Sequence, residues 1–91
     1  MATQIMSVGT SGSTSGDVTI SAGATLTVCL KDGSGPTIDN AAKVEIQLKD
    51  DAGEYFTVAT LTGGRPSIVI VGAGTYRFVR VAGASCGVFS A

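Results

Sequence analysis

KVEIQLKDDAGEYFTVATL, residues 43–61, decides the fold. Val44, Ile46 and Leu48 alternate with Lys43, Glu45, Gln47 and Lys49. A period of two suits a strand with one buried face; a helix would repeat its apolar positions at three and four. Asp50 to Gly53 then supplies turn chemistry, and EYFTVATL (54–61) resumes an extended run rich in β-branched and aromatic residues. Two such runs around a short Gly-containing loop read as a β-hairpin.

The same pattern extends in both directions. Leu26, Val28 and Leu30 face one way, Thr25, Thr27 and Cys29 the other. DVTI (17–20), SIVIV (67–71), TYRFVRV (75–81) and CGVFS (86–90) read as further strands, with the opening TQIMSV (3–8) as an addition. Between them lie KDGSGP (31–36), TGGRP (62–66), GAG (72–74) and AGAS (82–85), whose Gly, Pro, Asp and Ser favour turns. The single helical candidate is IDNAAKVEI, where Asp39 or Asn40 would cap one turn. About seven short strands define an all-β chain, a small antiparallel β-sandwich or barrel of immunoglobulin-like or jelly-roll-like type.

At 91 residues the chain makes one domain, with roughly 4,900 Å² expected to stay exposed on folding. GTSGSTSGD (9–17) reads as a flexible loop, or as an arm that orders only across a neighbouring subunit. The expected division is a flexible segment over 1–16 and a β domain over 17–91. Only 14% of residues are charged while 44% are apolar, and the net charge is −1, a balance that favours association and points to a homo-oligomer subunit. Residues 1–55 carry net −4 and residues 56–91 net +3, by chance or as patches through which copies attract. Three arginines without a basic cluster do not make a nucleic-acid footprint. MATQIMSVG lacks a basic, then apolar, leader, and no stretch reaches the ~18 apolar residues of a membrane helix, so neither secretion nor membrane insertion is expected.

Chemistry-bearing patterns are scarce. The chain has no His, so the commonest general base and zinc ligand is missing. Cys29 and Cys86 are too far apart for a Cys-x-x-Cys pair. Their separation suits an immunoglobulin inter-sheet disulfide, but there is no Trp, and Tyr76 lies ten residues before Cys86 where two would be needed; free thiols are expected. Asp50, Asp51 and Glu54 lack the spacing of an EF-hand, GAG is too short for a dinucleotide fingerprint, and GGRP lacks the Lys of a phosphate loop. No enzyme activity, cofactor or metal is expected.

The C-terminal hairpin holds the candidate site. In TYRFVRV one face carries Tyr76, Phe78 and Arg80, the other Arg77, Val79 and Val81; in CGVFS, Val88 and Phe89 lie on opposite sides. A small sandwich covers one face of each sheet, so apolar groups on both faces call for a partner. Tyr76, Arg77, Phe78, Arg80, Val88 and Phe89 are therefore the expected interface. The alternative is that these strands sit centrally in a two-layer core with a loop over the outside.

GAGTYRFVRVAGASCGVF (72–89), following the apolar run before it, resembles the C-terminal part of short structural proteins of tailed bacteriophages. There a Gly-Thr-Tyr-Arg strand is followed by an Ala-Gly turn and a Gly-Val strand; the resemblance covers residues 67–91. It implies a virion component assembled in the host cytoplasm, most readily a capsid decoration or cement subunit. Its partners would be copies of itself and the major capsid protein or another virion protein. A tail or head-fibre module is the alternative, and the resemblance transfers no binding residues.

Overall fold

The computed structural model describes residues 3–32 and 38–91. These form nine strands: β1 (Thr3–Gly9), β2 (Ser13–Thr14), β3 (Val18–Ile20), β4 (Leu26–Lys31), β5 (Lys43–Lys49), β6 (Tyr55–Thr62), β7 (Ser67–Ile70), β8 (Gly74–Arg80) and β9 (Cys86–Ser90). No helix occurs among the described residues. The 43–61 hairpin forms as the alternation predicts, pairing Val44 with Leu61 and Lys49 with Tyr55. At its tip Asp50 Oδ1 accepts the N–H groups of Ala52 (2.9 Å) and Glu54 (2.8 Å). Gly53 there has φ 86°, a left-handed conformation that a side chain would strain. The Asp39 segment makes a local turn instead of a helical one. Asp39 Oδ1 takes the N–H of Ala41 at 2.8 Å, and Ala42 N–H returns to the Asp39 carbonyl at 3.0 Å.

All pairings are antiparallel. One sheet has the order β1-β9-β4-β7; in the other, β8 has β2 and β3 along one side and β5, then β6, on the other. β2 and β3 are two pieces of one edge strand, meeting β8 at Arg80 and Val79 and then at Tyr76 to Gly74. The halves of the chain thus pair from the ends inward: β1 with β9, β2/β3 with β8, β4 with β7, β5 with β6. That nesting is the connectivity of a jelly roll. It differs from an immunoglobulin sandwich, and it places the first and last strands side by side.

The two inner faces close on Val28, Val44, Ile46, Leu61, Phe78 and Val88, each 0–1% exposed. Burial of each such side chain stabilises the fold by roughly 1.5–3 kcal/mol. The chain exposes 4937 Å², the area expected of a compact monomer of this mass.

From Thr3 onward, the expected flexible segment is instead built into both sheets. Met6 of β1 enters the core, and β1 pairs with β9. Ser15 N–H donates to the Phe78 carbonyl (2.8 Å), and Ser15 Oγ accepts Phe78 N–H (2.9 Å). The physical cause is Arg80. The residue is only 6% exposed, and its guanidinium donates from Nε to the Ser11 carbonyl (2.7 Å) and from one terminal nitrogen to the carbonyls of Ser7 (2.7 Å) and Cys86 (2.8 Å). Carbonyl dipoles so gathered around a cation order a Gly/Ser/Thr stretch that has little apolar area of its own.

Candidate interaction surface

Four of the six residues expected at an interface are covered by the chain itself. Tyr76, Phe78 and Arg80 form the inward face of β8, and Val88 the inward face of β9, at 6%, 0%, 6% and 0% exposure. Tyr76 adds a hydrogen bond from its hydroxyl to the Gly72 carbonyl (2.9 Å). β9 lies between β1 and β4, so both of its backbone edges are paired, and four of its five residues are buried, with Phe89 half-buried on the outer face. That face is covered at Gly87, where an added Cβ would stand 2.8 Å from the Met6 carbonyl oxygen and the Val8 nitrogen. β1 bulges over that position, and only a glycine admits the crossing.

Arg77 and Phe89 keep exposed area but lie on opposite outer faces of the sandwich. Phe89 sits across from Gln4 on one side and Cys29 on the other. Arg77 joins a polar group on the second sheet. Its Nε donates to Gln47 Oε1 (2.7 Å), and its guanidinium lies 3.6 Å from the Tyr55 ring centroid. The Tyr55 hydroxyl donates to Asp17 Oδ1 (2.8 Å), and Lys49 pairs with Asp17 at 3.8 Å. The Asp17 hydrogen bond, more than any other influence, holds the Tyr55 hydroxyl above its ordinary pKa. The ion pair on this face lies within residues 1–55, and Arg77 from the basic half joins it only through the ring of Tyr55. The six expected residues do not converge on one surface.

Exposed apolar groups collect elsewhere. Phe56, Val58, Val69 and Val71 are 57%, 54%, 51% and 67% exposed, and Val81, just past the end of β8, is 42% exposed. The first two lie on β6, the edge of the second sheet; Val69 lies on β7, the edge of the first, with Val71 just beyond its end. β6 and β7 follow one another in sequence, and β6 packs beneath β4, so both edges bound the same side of the sandwich. A bulge sets Val58 out of register between Ala59 and Thr57. The signal was present in SIVIV, which is apolar on both faces although the fold buries only one.

Cys29 and Cys86 are both free. Val88 and Cys86 share the inward face of β9, whereas Cys29 pairs with the outward Phe89, so the thiols lie on opposite faces of one sheet. Burial pushes the Cys86 thiol above its ordinary pKa, with the nearby Arg80 charge opposing the shift. Among the described residues no group of three or more His, Cys, Asp or Glu is placed to hold a metal ion, and no helix is long and apolar enough to cross a membrane.

Comparison with protein families finds no match, and comparison with curated proteins finds none. Among solved structures, the chain is similar to the SPBc2 prophage-derived protein YomS. The TM-score is 0.69 at 12% identity, over 99% of this chain and 88% of that one. At that identity the likeness is one of fold, and it extends over the whole jelly roll.

Proposed function

We propose that this chain is a structural protein of a bacteriophage particle that works by binding and not by catalysis, and that it decorates the capsid. The observation that carries the reading is the exposure of Phe56, Val58, Val69 and Val71 along the two sheet edges that bound one side of the sandwich. Isolated exposed apolar residues need no explanation, but a group bounded by two sheet edges marks a contact surface. A fold shared with a prophage-derived protein supports a phage setting. The jelly roll itself recurs in viral capsid proteins.

A decoration subunit acts by linkage. If it binds the assembled lattice and not the free capsid subunits, it stabilises the lattice by RT ln(1 + [L]/Kd), about 2.7 kcal/mol per site when the free subunit is ~100 times its Kd. Repeated over a shell, small contacts suffice, and no deep pocket is needed.

The test is quantitative mass spectrometry and immunogold labelling of purified particles from the phage or lysogen that encodes the chain. Many copies per particle, with label on the heads, are expected. Label confined to tails would replace decoration with the tail or fibre role. Absence from the particle would overturn the virion reading.

A further inference from the structure

The two sheets have four edges, and three carry a device that discourages a further strand. β1 is broken by two irregularities, one between Gln4 and Met6 and one between Met6 and Gly9. The β2/β3 edge is interrupted between Thr14 and Val18. β6 carries the bulge at Val58. β7 is short, at four residues, but has none of these: Ser67 to Ile70 run in unbroken register with Cys29 to Leu26, without a charge or a proline. An unguarded edge is a template for another strand.

The register fixes which peptide groups are available there. Thr27 exchanges hydrogen bonds with Ala91 beyond β9 (3.2 and 2.9 Å), whereas Leu30 N–H donates to the Pro66 carbonyl (2.8 Å). Even-numbered residues of β4 therefore bond toward β7, and its odd-numbered residues toward β9. Since Val28 pairs with Ile68 and Leu26 with Ile70, the peptide groups of Ile68 and Ile70 face β4. Those of Ser67 and Val69 face the open edge, where no described strand meets them.

We propose that β7 pairs antiparallel with β7 of a second copy across a twofold axis, joining the two four-stranded sheets into one. The strand is complementary to itself. A twofold at Val69 sets Val69 against its own counterpart and Ser67 against Val71, all residues of the parity that faces the open edge. No charged residue lies between Arg65 and Arg77, so neither copy brings a like charge into the seam. The net charge of −1 per chain adds little repulsion at longer range. Val69 and Val71, half or more exposed in the single chain, gain cross-strand neighbours in the pairing, Val69 from its own counterpart and Val71 from Ser67, and Phe56 and Val58 lie on the same side of each copy. The inference stands apart from the virion reading: self-pairing is read in solution, and virion membership in purified particles.

The experiment is light scattering on the full chain as it elutes from size exclusion, over about 1 to 100 μM, with two variants. V69P removes only an N–H that faces the open edge, so the ladder to β4 stays complete. V69K brings two ammonium groups together at the axis. The wild type is expected to be a dimer at the upper concentration. Both variants should keep its far-ultraviolet circular dichroism and raise the dimer Kd at least about tenfold. Gln4→Lys, on the irregular β1 edge, should leave Kd unchanged. If one β7 variant fails to fold, the other decides. A wild-type monomer, a wild-type trimer, or a dimer that survives the folded β7 variants overturns the proposal, including the case where a foreign chain is the true occupant.

Discussion

β9 and β7 are alike as sequences and opposite as structures. CGVFS and SIVI are both short, uncharged and rich in β-branched or aromatic residues. β9 lies between β1 and β4, and four of its five residues are buried; β7 lies at the end of the same sheet, and only Ile70 is. Apolar composition says that a strand needs cover. Strand order says whether the chain supplies that cover or leaves it to another molecule. The apolar C-terminus is therefore explained by this chain's own core, and the uncovered apolar strand lies some twenty residues earlier.

Truncation of a central strand should have the largest effect. Phe78→Ala on β8 removes a ring with 0% exposure. It should cost about 3–5 kcal/mol, a large share of the roughly 5–10 kcal/mol available to a domain of this size. Urea unfolding monitored by circular dichroism reads the loss. A cost below about 1 kcal/mol would mean that β8 is not central in solution and that the tail is free to bind a partner.

Arg80→Met comes next. The apolar stem remains, but the carbonyls of Ser7, Ser11 and Cys86 lose their donor. Buried acceptors without partners should cost about 2–3 kcal/mol in all. The loss should be local in character, with amide hydrogen exchange over residues 7–15 accelerating well before exchange in β5. Uniform acceleration would show that the N-terminal segment is held by something other than Arg80.

These two residues mark how far the sequence could be read. The 43–61 hairpin, the turn at Gly53 and the inward faces of β4 and β5 follow from local alternation and turn chemistry, which act within a few residues. The jelly-roll order does not follow, because it is set by pairings between distant segments such as Met6 with Val88. The same limit explains the interface residues. Alternation correctly groups Tyr76, Phe78 and Arg80 on one face, but only the sheet order shows that this face points inward. Ser7 and Ser11 lie 73 and 69 residues from Arg80, so the clamp that orders the GTSGSTSGD stretch has no local signature. The exposed β7 valines were visible as a run apolar on both faces, without any indication that it forms an edge.

A smaller effect should appear with pH. Burial holds the folded Cys86 thiol protonated above its ordinary value of 9.0. Above about pH 9 the unfolded chain then releases a proton that the folded chain keeps, so stability falls as pH rises through 9 until the folded value is passed. The raised Tyr55 hydroxyl acts in the same direction from its ordinary value of 10.0. Unfolding free energies at pH 8, 9 and 10 should decline for the wild type and decline less for Cys86→Ala. Equal slopes would place the thiol in contact with water, against its position on the inward face of β9.

The smallest expected effect, that of Val69→Ala, is also the most discriminating when set beside Val88→Ala. Val88→Ala and Val69→Ala delete the same atoms from neighbouring regions of one sheet, at 0% and 51% exposure. Val88→Ala should cost about 1.5–3 kcal/mol at any protein concentration, because the cover is intramolecular. Val69→Ala should cost less than about 0.5 kcal/mol in dilute protein, where an exposed edge loses little. At high concentration self-pairing stabilises the folded chain by mass action, so the wild-type melting temperature should rise with concentration, and that of Val69→Ala should rise less. A concentration-independent cost for Val69→Ala, equal to that of Val88→Ala, would mean that something within the chain covers β7. The contrast between a strand covered by its own fold and one left for a second copy would then fail.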